Sequence, residues 1–245
     1  MMIGDLRTLP GIIGAVLGSL LVGCPAQDPR AAIPGDILHA EDFREGLDRW
    51  SVEQQPGGTV TTDAGRLVID DRAGCTVWLR PRLKAPLIIS YTATLTGVSR
   101  VSDLNCFWMA TDPSRPGDLL LPGHSRDGLF ATYDTLRTYY VGHGGNSNTS
   151  TRFRRYPGDG TRPLLPGHDL TEPEFLLEAG HPYRIELVVA GNRVQYLCDG
   201  VVIFDFTDPE PLVEGWFGFR TVWSHLEITD FAVHAAVARS GKSDR

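Results

Sequence analysis

Period-two alternation, tight turn pairs and scarce helical spacing predict an all-β fold, a jelly-roll β-sandwich of two antiparallel sheets. Runs rich in β-branched and aromatic residues recur along the chain, each bounded by Gly, Asn, Asp or Pro. Between two such runs stands Asp199-Gly200, a hairpin signal because both residue types tolerate the positive φ that a two-residue turn requires. Spacing compatible with a helix is confined to short pieces at 41–50 and 126–136.

In chain order, a start carrying Arg7 precedes an apolar run from Ile12 to Val22. That run is about half of the ~20 residues that span a bilayer, so it reads as a signal-peptide core. Leu21-Val22-Gly23-Cys24 resembles the lipobox of bacterial lipoproteins. The resemblance implies removal of residues 1–23 and lipidation of Cys24, hence export and a membrane anchor at an outer membrane or cell surface, its periplasmic side included. Residues 24–38, with Pro25, Pro29 and Pro34, are expected to be a tether. The jelly-roll domain is expected over 39–236, and a frayed polar tail over 237–245.

Inside that domain, strands are expected at 66–70, 76–80 and 87–95. Tyr183-Arg-Ile-Glu-Leu-Val-Val-Ala190 alternates, turns at Gly191-Asn192 and returns as Val194-Gln-Tyr-Leu-Cys198. After Asp199-Gly200 come strands at 201–206, 215–223 and 226–234.

With 245 residues the chain can bury one large core. Its net charge of −7 argues against a nucleic-acid partner, which needs a basic footprint. With Cys24 assigned to lipid, Cys75, Cys106 and Cys198 remain, each in an apolar strand context that suits a small buried hydrophobe. No cysteine or histidine spacing suggests a metal, and no cofactor is expected.

The ending from the Asp199-Gly200 hairpin through Phe204-Asp-Phe-Thr-Asp-Pro209 and Gly215-Trp-Phe-Gly-Phe-Arg-Thr221 resembles the closing strands of concanavalin-like lectin/glucanase jelly rolls. More narrowly, several stretches resemble a bacterial family of secreted proteins, DUF6250-like. They are Ser102-Asp-Leu-Asn-Cys-Phe-Trp-Met-Ala110, Tyr139-Tyr-Val-Gly-His-Gly-Gly-Asn146 with Thr151-Arg-Phe-Arg-Arg-Tyr156, and Arg162-Pro-Leu-Leu-Pro-Gly-His-Asp-Leu170. The resemblance covers roughly 40–235. It implies the concanavalin-like sandwich and, through wider relatives, proteins that bind or cleave polysaccharides. Such folds admit a structural calcium, for which the loops here supply no compelling acidic set.

Chemistry concentrates between Arg137 and Arg162. Five arginines (137, 152, 154, 155 and 162) stand there against one acid, Asp159, which points to an anionic ligand. Strand alternation puts Arg152, Arg154 and Tyr156 on one face, able to hold a carboxylate and stack a sugar. His143 lies in a loop of glycine and asparagine with Asn146 and Asn148. One of Tyr139 and Tyr140 is expected in the core.

The leading expectation is β-elimination on a uronic-acid polysaccharide, an enzyme of the polysaccharide lyase type. Arg152 or Arg154 would meet the carboxylate, His143 would act as base, and Tyr140 or Tyr156 as acid. Asn105, Asn146, Asn148, Trp108, Arg220, Trp223 and His225 are the expected carbohydrate-binding set. A non-catalytic carbohydrate-binding module is the alternative. A glycoside hydrolase ranks lower, because the acids Asp103 and Asp134 form no clear pair. A monomer is expected, with an anionic polysaccharide or oligosaccharide and, through the anchor, a membrane as partners.

Overall fold

Alternating apolar side chains need a facing layer, and the chain supplies it by closing two antiparallel sheets onto one core. The computed structural model describes residues 28–120 and 126–238. Its strands are β1 (Ala32–Glu41), β2 (Trp50–Gln54), β3 (Thr59–Asp63), β4 (Arg66–Asp70), β5 (Cys75–Leu79), β6 (Leu83–Lys84), β7 (Leu87–Leu95) and β8 (Leu104–Thr111). They continue with β9 (Arg137–Gly144), β10 (Ser150–Pro157), β11 (Asp169–Leu170), β12 (Pro182–Ala190), β13 (Arg193–Cys198), β14 (Val201–Thr207), β15 (Glu214–Thr221) and β16 (His225–Ala238).

Sheet A runs β14-β13-β12-β7-β16-β4-β3, with β1 also on β16; sheet B runs β11-β10-β9-β8-β15-β5-β2, with β6 on β15. Between them lie Leu67, Ile69, Ile89, Tyr91, Val141, Phe153, Tyr196, Phe217, Phe219 and Phe231, all nearly inaccessible. The Asp199-Gly200 turn has positive φ at both residues, 50° and 80°, as a tight hairpin demands. Cys75, Cys106 and Cys198 are free and buried. No helix among the described residues is long and apolar enough to cross a membrane.

Three expectations change. Residues 32–38, read as tether, open β1, which pairs with β16 from Ala32↔Ala238 to Glu41↔Phe231. Pro34 and Gly35 disguise the strand, and register shifts between Pro34 and His39 break its alternation. Residues 237 and 238, read as tail, belong to β16. No helix forms at 41–50, where a turn leads to Trp50, and 126–136 holds only a short 3-10 turn, Phe130–Tyr133. The lipidation candidate Cys24 lies outside the described residues.

The outer face of sheet B carries a second apolar cluster. Trp78, Phe107, Tyr140, Tyr156 and Trp216 pack there beneath a roof formed by residues 126–136, which contributes Tyr133. Phe107 stacks on Tyr133 of that roof, with centroids 5.4 Å apart. Glu53 of β2 pins the roof: its carboxylate accepts from Trp78 Nε1 (2.8 Å), the Tyr133 hydroxyl (2.9 Å) and the Arg126 amide (2.8 Å). Arg126 in turn pairs with Asp112 at 2.5 Å, both side chains largely covered. The roof covers β2, β5, β15 and the Phe107 side of β8, and a cleft remains beside it over β9 and β10.

Candidate functional site

Strand register decides what lines that opening. In antiparallel sheets, residues directly opposite share a face. One row across sheet B is Arg152, Gly142, Asn105, Arg220, Thr76 and Glu53; the next is Arg154, Tyr140, Phe107, Gly218 and Trp78. A polar row thus lies beside an aromatic row on the outward face. Where the roof stops, they border a cleft of about 500 Å³ with Asp103, Tyr140, Asn146, Arg152, Arg154, Tyr156 and Arg162 on its walls. Gly142 floors it, and a Cβ there would come within 3.0 Å of the Tyr140 hydroxyl.

The cations differ in how far the protein neutralises them. Arg152 grips Asp169 through two hydrogen bonds, 2.7 and 3.0 Å. Asp169 is held below its usual carboxylate range by that contact. Arg155 points the other way and pairs with Asp208 at 2.6 Å. Arg162 lies 3.5 Å from Asp134 and over the Phe130 ring. Arg154 bonds the Arg162 carbonyl and, among the described residues, has no carboxylate at ion-pair distance, its charge reaching Asp169 only from further off. Burial draws its pKa below the usual value, and the nearby cations Arg152 and Arg162 act in the same direction.

Tyr140 and Tyr156 sit side by side, ring centroids 5.7 Å apart. Burial pushes both phenols above their usual range, so both remain protonated at neutral pH. Asp103 is the one carboxylate among the side chains lining the cleft. It accepts from Ser102 Oγ (2.6 Å), Arg100 Nη2 (2.9 Å) and Asn105 Nδ2 (3.2 Å). Asn105 is buried, and its own Oδ1 has no partner. Asn146 enters from a turn in which Asn146, Ser147 and Asn148 all have φ between 54° and 63°, a conformation asparagine tolerates better than most.

Seven expected site residues do not line the cleft, among them Asn105, which lies buried beside it. His143 is buried between the sheets, its Nδ1 2.9 Å from the Tyr196 hydroxyl, so it cannot serve there as a base. Its alternation partner is Val141, and both face the core. Trp108 is fully buried against Tyr139 and Phe153 and offers no platform. Arg220 is 1 % exposed beneath the roof, bonded to the Gly128 carbonyl (2.6 Å) and Thr76 Oγ1 (3.2 Å). Asn148 has both ends of its amide on the Leu177 backbone at 2.8 Å. His225 belongs to sheet A, 3.9 Å from Asp70 and 3.8 Å from Glu227. Trp223 is exposed on a loop beyond β15, beside the cleft and not within it.

Sequence reasoning missed Phe130 and left Arg162 out of the site. The signal for Arg162 was its charge, but its place depends on a long excursion between β10 and β11. Among the described residues no group of three or more His, Cys, Asp or Glu side chains is arranged to hold a metal ion.

His143 makes a pH prediction. Burial lowers its pKa from 6.5 in the unfolded chain to about 4. Between those values the unfolded chain binds more protons, so its contribution to stability is complete above 6.5 and is lost as pH falls toward 4. Urea unfolding near pH 5 should show about 2 kcal/mol less stability from this group than at neutral pH. His143→Gln should flatten the slope in that window; an unchanged slope would contradict the assignment.

A family model described as "Domain of unknown function (DUF6250)" matches residues 69–231. No curated protein matches the chain. Among solved structures, it is similar to a protein of unknown function with galectin-like fold from Bacillus subtilis, at 21 % identity over 85 % of this chain and 100 % of that one, TM-score 0.68. It is also similar to the carbohydrate-binding module CBM66 from Bacillus subtilis, at 10 % identity over 77 % and 97 % of the two chains, TM-score 0.53. A third is β-agarase A from Zobellia galactanivorans, at 9 % identity over 89 % and 98 %, TM-score 0.56. At these identities the shared property is the fold.

Proposed function

The chain belongs to the DUF6250 family, and from that premise we propose that it binds an acidic saccharide in the cleft over β9 and β10. The observation that carries this reading is Arg154, a cation on the cleft wall with no carboxylate bonded to it among the described residues. A uronate carboxylate would complete it through charge-assisted hydrogen bonds. Tyr140, Tyr156 and Phe130 give the same cleft aromatic walls suited to a sugar ring, and Asp103 and Asn146 add polar contacts for its hydroxyls. Two proteins with this fold are named a carbohydrate-binding module and a β-agarase, which supports a carbohydrate ligand.

β-Elimination is the second reading, favoured by paired phenols beside two guanidiniums. The protonated tyrosines suit the acid that protonates the leaving oxygen, and Arg154 suits neutralisation of the carboxylate. With His143 in the core, a second role falls on one tyrosine, whose raised pKa opposes action as a base. Hydrolysis fits less well, since it uses two carboxylates and the cleft lining offers Asp103 alone. Lipidation at Cys24 would hold the protein at a membrane.

Calorimetry with oligogalacturonate, alginate, ulvan and glycosaminoglycan fragments tests the binding reading. Heat should appear with one acidic glycan and vanish when its carboxylates are esterified. Equal binding of the neutral form would overturn the assignment. A rise in the ultraviolet absorbance of unsaturated uronate in the same mixtures would establish elimination.

A further inference from the structure

Of the chain's five tryptophans, Trp50, Trp78, Trp108 and Trp216 are at most 5 % exposed, whereas Trp223 is 56 % exposed. Its backbone is left-handed, φ 56°, a conformation that bulky residues adopt only where the surroundings impose it. The surroundings here are built for that. The Trp223 amide donates to Oδ2 of the fully buried Asp71 (3.0 Å), and its carbonyl accepts from Ser99 Oγ (3.2 Å). The carbonyl before it accepts from Arg100 Nη2 (2.7 Å), and Ser224 Oγ beyond it donates to the Ser102 carbonyl (2.6 Å). A large indole is thus held outward by four separate contacts.

Arg100 joins this loop to the cleft. Its guanidinium lies 5.8 Å from the Trp223 ring centroid. The same guanidinium bonds Asp103 Oδ2 on the cleft wall (2.9 Å) and Ser147 Oγ beside Asn146 (3.1 Å). One side chain therefore separates the exposed indole from the cleft. A single sugar in the cleft would leave Trp223 without a role.

Resting on the acidic-saccharide reading, we propose that Trp223 is a stacking platform for a second sugar outside the cleft. The ligand is accordingly an oligosaccharide or polymer, with an acidic residue at Arg154 and the chain passing Asp103 and Arg100 onto the indole. Sugar faces stack on tryptophan by burying C–H surface against the ring, and the Arg100 cation beneath it fixes the plane.

The test uses the intrinsic fluorescence of the whole protein, since acrylamide reaches Trp223 far more readily than the four buried tryptophans. Size ladders of oligogalacturonate, alginate and heparin fragments are titrated by calorimetry, and acrylamide quenching is measured at saturation. Long fragments should protect the indole and the monosaccharide should not. The gain in affinity from monosaccharide to hexasaccharide should shrink about tenfold in Trp223→Ala and partly return in Trp223→Phe. Arg154→Gln should instead weaken every length alike. A hexasaccharide that binds while Trp223 stays fully quenchable, or an unchanged length dependence in Trp223→Ala, overturns the platform. No heat with any acidic ladder overturns the cleft reading and the platform with it.

Discussion

Arg154→Gln should weaken binding of an acidic saccharide by roughly ten- to a hundredfold, the value of a charge-assisted hydrogen bond of about 1.5–3 kcal/mol. Melting temperature should hardly move, because among the described residues the side chain bonds a backbone carbonyl, that of Arg162, and no buried carboxylate. Arg152→Gln is the informative comparison. Its guanidinium is already neutralised by Asp169 through two bonds, so its loss should cost the ligand much less. Arg154→Lys should recover charge but not the planar fork, giving partial rescue. Calorimetry on the three variants checks the order; equal losses at 152 and 154 would remove Arg154 from its central place.

Glu53→Ala should lower stability by about 3–5 kcal/mol, which for a domain of this size is a fall of roughly 10 °C in melting temperature. The buried carboxylate accepts from three donors on two elements. Its removal strands the Trp78 indole N–H, the Tyr133 hydroxyl and the Arg126 amide, and each unpaired buried donor is costly. The roof loses its pin to β2, so Phe130, which lines the cleft, loses its support. Binding should therefore weaken even in the folded fraction. Glu53→Gln keeps one acceptor oxygen and should fall between the two. A melting curve indistinguishable from wild type would show that the apolar packing of Phe107 on Tyr133 holds the roof unaided.

The strands were legible because alternation is local. The expected runs at 66–70 and 87–95 coincide with β4 and β7, and the turn at Asp199-Gly200 follows from residue type. Alternation also placed Arg152, Arg154 and Tyr156 together, as the cleft has them. The same rule separates Tyr140 from His143, three positions apart and thus on opposite faces; treating His143 as loop concealed this. Trp108 follows the alternation of Leu104 and Cys106 into the core, whereas Met109 and Ala110 depend on something less local. A break in register between Trp108 and Thr111, with φ 53° at Met109, brings Met109 into the core and turns Ala110 to the outer cluster. Arg220 was misread for a different reason: its strand face is outward, but a roof distant in sequence closes over it. Long-range cover leaves no mark in the pattern of the covered strand.

The entry of the chain has a consequence for how the cleft is presented. Arg30 pairs with the buried Glu186 at 3.1 Å, and the amide of Ala31 donates to Gln195 at 2.7 Å. Both acceptors lie on the outer face of sheet A, so the N-terminal approach is fastened to the side opposite the cleft. From the proposed lipid on Cys24 to Asp28 the chain can reach at most about 14 Å. An anchored molecule would then rest with sheet A toward the bilayer and hold its arginines upward, facing arriving polymer like an open palm.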